Sequence, residues 1–373
     1  MFGQHHILHF LKNRELDELY ACISLRTFSI SMITVFVPIF LISLSYSIQQ
    51  VLVFYIILHL SQSVSSVFCA KIVSRIGFHH SILYSLLLTL IVYIMLWSLD
   101  TVKWPLEITA IIFGVSAGLF WVGYHSDFAK FSKQGERGKS VGATKIFSFV
   151  FHAMGPIAGG IIITLLGFHS LYLATSIILV ASAFPLFFSK EVHSPADFSI
   201  KKIFSEQKPK HFLGYFAAGF DQSAAAVIWP IIIFYSILND FTLLGTTASL
   251  SIVGSIIVAA IAGILADKNR WLLLKASGII HAAIWAGKSF VSTTSQVFAI
   301  DIVYGMNKSA LSIPIDAKSY DVANRKNIIQ HIAFRESSWH FGSAVLLTAV
   351  LLSGQLNSGI WLASLASLLF LVF

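Results

Sequence analysis

Charge is scarce in this chain. Only 11% of its 373 residues are Asp, Glu, Lys or Arg, where soluble domains run near a quarter, and the mean hydropathy is +0.80 with 56% hydrophobic residues. No water-soluble core of this size could hide that much apolar surface. Cysteine is nearly absent too: Cys22 and Cys69 lie in apolar runs without metal-ligand spacing. That leaves no disulfide framework and no metal site, and gives both a packing role. The chain has no GxxxxGK[ST] loop for a nucleotide, no CxxC pair and no HExxH, so ATP-driven work and zinc hydrolysis are not suggested. Nothing supplies a nucleophile with a positioned base, and neither enzymatic activity nor a cofactor is expected. A formal net charge of +8 would suit nucleic acid only on a soluble basic surface.

What the chain has in abundance is apolar runs of about 20 residues, the length of a helix that crosses about 30 Å of hydrocarbon. A membrane barrel would show short alternating segments instead. Polar breaks divide the runs into twelve expected spans, at 20–46, 50–72, 81–99, 105–127, 141–166, 169–188, 212–238, 243–265, 272–288, 296–318, 327–352 and 358–373. The last run is short and stops at Phe373 without a polar tail, as a truncated chain would. The first 20 residues hold His5, His6, Lys12, Arg14, Glu15, Asp17 and Glu18 and lack the apolar core of a cleavable signal, so the first span is expected to serve as an uncleaved insertion signal.

Lys and Arg collect on the cytoplasmic side of membrane proteins. With the N-terminus inside, the inner segments take 21 of the 25 basic residues, the outer loops hold only Lys103 and Lys288, and Lys308 and Arg335 fall within spans. Both termini are therefore expected in the cytoplasm and the protein in the plasma membrane, the inner membrane of a bacterial cell. The longest break, residues 190–211, reads as a cytoplasmic linker between a first half, 1–189, and a second, 212–373. In the linker Phe198, Ile200, Ile203 and Phe204 interleave with lysines, which suits either a short helix on the inner leaflet or a solvated connection.

The halves echo each other. VFVPIFLISLS around Pro38 in span 1 returns as VIWPIIIFYSI around Pro230 in span 7, an offset of 192, and AKIVSRIG at residues 70–77 returns as GILADKNR at 263–270, an offset of 193. Nearly equal offsets in two separate places point to a duplicated six-helix unit.

This pattern resembles the major facilitator superfamily (MFS) across essentially the whole chain. The family's signature after span 2 is Gly, Asp four residues on, then Arg or Lys and a Gly two further. Here Ala70, Ser74, Arg75 and Gly77 stand in those places, without the acid; the second-half copy keeps Gly263, Asp267 and Lys268 but has Arg270 at the last position. The resemblance implies that these loops act as gate latches, with Asp127 expected to pair with Arg75, Lys130 or Arg137 beside them. Span 5 carries Gly155, Pro156, Gly159 and Gly160, matching the family's GPxxGG element, which is common among exporters that exchange a solute for protons; close packing would select the same residues. Gly142 fits an upstream glycine of that pattern. In span 4, Gly114, Ser116 and Gly118 resemble a third family element, but Ala110 replaces the arginine associated with proton coupling.

An ionisable group in the bilayer core is costly, so it faces the bundle interior or a wet cavity. Counted from the span ends, the groups near mid-depth are His59, His152, Asp221, His281, Lys308, Arg335, Glu336 and His340. Spacing i to i+4 stacks His331 over Arg335 and Glu336 over His340. A carboxylate beside a histidine could carry a proton, and a fixed cluster of Arg335 and Lys308 balanced by Glu336 and Asp221 could equally hold the halves together. Asp221 reads either as a cavity carboxylate or as a partner of Lys308. Trp229, Trp285 and Trp339 are deep enough to stack on a substrate, and Arg26 is expected to snorkel to the inner interface.

The expected fold is thus an all-α integral membrane protein of two six-helix bundles, twelve transmembrane helices in the pseudo-two-fold MFS arrangement. The expected function is secondary active transport of a small organic solute by alternating access in a monomer, with proton-coupled export as its finer form. The alternative is a membrane receptor or scaffold that keeps this fold without transporting.

Overall fold

The computed structural model describes residues 14–131, 137–185 and 199–373. Among these residues every regular element is helical, as hydrocarbon demands of a chain that must satisfy its own N–H and C=O groups. Twelve spans form. Span 1 is Arg14–Thr34 continued by Val37–Ser43, and spans 2 to 4 are Ile48–Ile76, Phe78–Trp97 and Leu106–Phe131. Spans 5 and 6 share one helical run, Arg137–Ala183, which turns at Gly167. The φ of 80° there lies in the left-handed region, which glycine enters at no steric cost. Span 7 begins at Pro209 and is assembled from four short segments ending at Leu238. Spans 8 and 9 share Phe241–Lys288, kinked at Asn269, whose Oδ1 accepts the Leu272 N–H at 3.1 Å and caps span 9. Spans 10 to 12 are Thr294–Asn324, Ile328–Ser353 and Leu356–Ser367 with a final turn to Leu371.

The chain is a multi-pass integral membrane protein. Seven stretches are apolar and long enough to cross by composition alone, and two of them, Ser148–Ala183 and Phe241–Lys288, contain two spans each. Spans 10 and 11 carry too much polarity at mid-length to stand out that way, which is a first sign that they line something. Leu165, Leu352 and Leu365 are largely exposed on the outside of the bundle, where lipid rather than water is the solvent.

Both echoed proline segments break their helices. Residues 35–36 form a turn before Pro38, and around Pro230 the wide-turned segments Ala224–Ile228 and Phe234–Leu238 flank Trp229–Ile233. Proline lacks the N–H that the carbonyl four residues earlier needs, so the ladder is interrupted there.

The halves meet where span 2 packs on span 11 and span 5 on span 8. Small residues set that distance. A β-carbon on Gly155 or Gly159 would collide with Ser31 and the Met32 backbone of span 1, one on Gly160 with the Phe241 carbonyl at the start of span 8, and one on Gly245 with the Pro156 carbonyl. The glycines of span 5 therefore seat it between span 1 of its own half and span 8 of the other.

The far ends of spans 2, 4, 8 and 10 gather at one end of the bundle, called here the basic face. The linker's described part, Ile200–Ser205, docks at this face on the second half: Ile203 is fully buried and the Phe204 ring lies 6.1 Å from that of Phe334. Lys190, Ser194, Pro195 and Phe198 lie outside the described residues.

Candidate functional site

A cavity of about 340 Å³ lies between the halves. Spans 1, 4 and 5 give its first wall, with Arg26, Ser31, Trp121, Tyr124, His125 and His152; spans 7, 10 and 11 give the second, with Gln222, Lys308, Asp316, Tyr320, Arg335, Glu336, Trp339 and His340. Of the mid-depth residues expected from sequence, His152, Lys308, Arg335, Glu336 and His340 thus share one chamber with Trp339.

Arg335 is the centre of the second wall. Its Nη2 donates to Asp316 Oδ1 at 2.8 Å, and its Nη1 donates to Glu336 Oε1. A buried charge costs several kcal/mol unless paired, and one cation here answers two carboxylates. The remaining oxygen of Glu336 lies 3.7 Å from His340 Nε2, while Oε1 is also 3.7 Å from His125 Nε2 in the first half. His125 Nδ1 shares a 2.7 Å hydrogen bond with the Tyr320 hydroxyl. His340 Nδ1 is 3.1 Å from Nδ1 of His59, and the two rings stack at 5.2 Å across the span 2–span 11 seam. Beside them Ser63 donates to the Ser337 carbonyl at 2.8 Å. Glu336 therefore sits in a chain of titratable groups that crosses from one half to the other on both sides of it.

Two sequence readings of span 11 need correction. His331 does not stack on Arg335; it turns toward Tyr215, at 3.2 Å, and Gln207, at 2.9 Å. The cluster of Arg335, Lys308, Glu336 and Asp221 is not one group and does not bridge the halves: Arg335 takes Asp316 as its second partner, and Asp221 belongs to a separate network inside the second half.

That network accounts for Asp221, which is 1% exposed. Its Oδ1 meets His281 Nε2 at 2.7 Å, the Trp285 indole N–H at 3.0 Å and the Tyr304 hydroxyl at 2.9 Å, and Oδ2 receives Lys308 Nζ. Asn307 steadies His281 from the other ring nitrogen at 3.0 Å. The carboxylate does not face the cavity; its partner Lys308 does, with 29% of the side chain exposed.

Sequence reading missed a second buried pair. Lys288, assigned to an outer loop because it ends an apolar run, is 2% exposed. Span 9 continues to that residue, and its Nζ bends inward to Asp301 Oδ1 at 2.7 Å, enclosed by the rings of Trp229, Trp285 and Tyr304. Trp229 donates its indole N–H to both oxygens of Asp301, at 3.1 and 3.0 Å. Trp229 and Trp285 are consequently structural donors outside the cavity, and only Trp339 of the three tryptophans lines it. The signal available was Asp301 itself, an acid five residues into an expected span.

Arg26 was misread as well. It does not snorkel: it is 7% exposed, lines the cavity, and holds its guanidinium 3.2 Å from the centroid of the Phe120 ring. No carboxylate pairs with it among the described residues, and its buried Nε has no hydrogen-bond partner. A cation over an aromatic face gains about 0.5–2 kcal/mol, less than the several kcal/mol that burying the charge costs.

The basic face is shut by the second-half signature. Asp267 Oδ1 accepts the Gly138 N–H at 2.7 Å and Oδ2 the Lys139 N–H at 2.9 Å, so a carboxylate from the span 8–9 turn caps the start of span 5 in the other half. Gly263 permits this approach, since a β-carbon there would stand 2.7 Å from the Gly138 carbonyl. Asp321 pairs with Arg137 across the same seam and with Arg270 of its own half, each at 2.6 Å. The acid-less first signature builds no such latch among the described residues: Arg75 is exposed without an ion pair, Ser74 donates to the Lys71 carbonyl at 2.9 Å, and Gly77, φ 91°, makes the turn into span 3. Lys268 is exposed. Asp127 is buried on span 4 at 2% exposure, and Arg137 pairs with Asp321.

In span 4, residues 114–118 also read GxSxG, the spacing of a hydrolase nucleophile. Ser116 is 1% exposed in mid-helix and donates to the Ser85 carbonyl at 2.8 Å, so it is in no position to attack a substrate.

Comparison with known proteins agrees with this architecture. The human organic anion transporter MFSD10 (TETRAN) superposes with a TM-score of 0.71 at 11% identity, covering 96% of this chain and 99% of its own. The fucose:proton symporter FucP of E. coli gives 0.70 at 12%, covering 97% and 98%. At such identities the likeness is one of fold. No curated protein matches in sequence. The profile of the Major Facilitator Superfamily matches residues 10–207, more than half of the sequence. A central chamber walled by both halves and latched by the signature loop at one face is thus carried by a chain that belongs to the Major Facilitator Superfamily.

Proposed function

We propose that this protein is a secondary transporter that carries a small organic solute across the plasma membrane by alternating access, with the basic face in the cytoplasm. The observation that carries the reading is the mid-depth cavity between the halves, polar and closed at the basic face by the Asp267 cap on span 5 and the pair of Arg137 with Asp321, both of which join one half to the other. Breaking that cap and that pair while the span 5–span 8 seam tightens at the opposite face would re-aim the same chamber.

Proton coupling is assigned to Glu336. The groups that face it are Arg335 and His340 on its own span, His125 on span 4, and Asp316 and Tyr320 on span 10, with His59 behind His340. One arginine shared between two acids leaves the cluster one negative charge in excess, which a proton neutralises. The outward direction of transport rests on the resemblance of Gly155, Pro156, Gly159 and Gly160 in span 5 to the GPxxGG element common among exporters.

Purified protein in sealed liposomes, loaded with a solute panel and given an imposed pH gradient, tests both claims. Gradient-driven flux in the wild type and its loss in Glu336→Gln support the reading. Binding of solutes without flux of any would instead favour a receptor that keeps this fold.

A further inference from the structure

We infer that the cavity binds a small organic anion, its acid group seated on Arg26 and a flat apolar body laid between Trp121 and Trp339. This inference rests on the transporter reading for its meaning, though not for its test.

The argument is one of charge left over. The second wall holds the cavity's two carboxylates, Asp316 and Glu336, and both are taken by Arg335. The ammonium of Lys308 is answered by Asp221 from behind the wall. Among the described residues, the first wall carries a single full charge, Arg26, and no carboxylate. The Phe120 face answers only one side of the guanidinium, its buried Nε has no hydrogen-bond partner, and a planar five-donor fork donates only to acceptors. The Trp339 indole N–H also lacks a hydrogen-bond partner. Arg335 Nε lacks one too, and these unmet donors, with no unpaired acid among the described lining residues to compete for them, select a ligand that brings a carboxylate or similar group. The neighbouring surface is aromatic: Trp121 lies 5.1 Å from the His125 ring in a near-parallel stack, and Trp339 carries the Arg335 guanidinium at 5.0 Å. A flat body fits such walls, and about 340 Å³ admits a ligand of roughly drug-fragment size.

The test is binding, read by tryptophan fluorescence of the purified full-length protein titrated with three isosteric probes: benzoate, benzamide and benzylammonium. Benzoate is expected to bind at least about tenfold more tightly than either of the others. Arg26→Gln should erase that preference, and Arg26→Lys should keep part of it; folding of each variant is checked by size-exclusion profile. Equal binding of benzoate and benzamide, binding of benzylammonium alone, no binding of any probe, or an unchanged preference in folded Arg26→Gln overturns the inference. The wild-type selectivity stands by itself if Arg26→Gln does not fold. Charge-selective binding without flux in liposomes would leave this inference intact and remove transport, whereas flux indifferent to solute charge would do the reverse.

Discussion

Replacing Asp267 with Asn should unlatch the basic face. The carboxylate holds two backbone N–H groups, at 2.7 and 2.9 Å, on the first residues of span 5 in the opposite half. A hydrogen bond to a charged group contributes about 1.5–3 kcal/mol, and an anion at a helix start adds about 0.3–1 kcal/mol. Asn keeps one neutral acceptor and loses the charge and the second bond. Because Asp267 retains partial access to water, the low end applies, about 1.5 kcal/mol, or roughly a tenfold shift toward the state open at this face. The readout is a cysteine at Ser312, which lines the cavity, in a chain whose own Cys22 and Cys69 are buried. A membrane-impermeant thiol reagent applied at the basic face should label Ser312→Cys about ten times faster in the Asp267→Asn background, at least as fast with Asp267→Ala, and more slowly with Asp267→Glu. Equal labelling in the Asn, Ala and parent chains would refute the latch.

Three further outcomes are expected. Lys288→Met or Asp301→Asn alone should lower stability by about 3–5 kcal/mol by stranding one buried charge, and the double variant should recover much of the loss, as measured by thermal unfolding in detergent. Gly159→Val should abolish the span 1–span 5 approach at the Met32 backbone, costing about 1–3 kcal/mol of overpacking or more, with a matching fall in melting temperature. His59→Phe keeps a ring on the seam but removes the nitrogen facing His340; the pH dependence of flux should change while the unfolding temperature stays within a few degrees, and unaltered pH dependence counts against the proton path.

Sequence alone determined the solvent of this protein. Runs of about 20 apolar residues broken by basic turns leave a helical bundle in lipid as the one way to satisfy backbone polarity, and nearly equal offsets, 192 between Pro38 and Pro230 and 193 between the two signature loops, marked the two halves. Depth along a helix also picked out Glu336, His340 and Lys308 as interior groups, because the cost of charge in hydrocarbon depends on depth and little else. Which charge meets which was decided by tertiary structure. A helix position fixes height but not azimuth or reach, so it could not tell that Asp221 turns into the second half, that Arg335 takes Asp316, or that Lys288 folds back from a helix end to Asp301. The same limit hid Arg26: near a span end, a long side chain can stretch to the interface or turn inward, and only the Phe120 ring and the cavity beside it settle which.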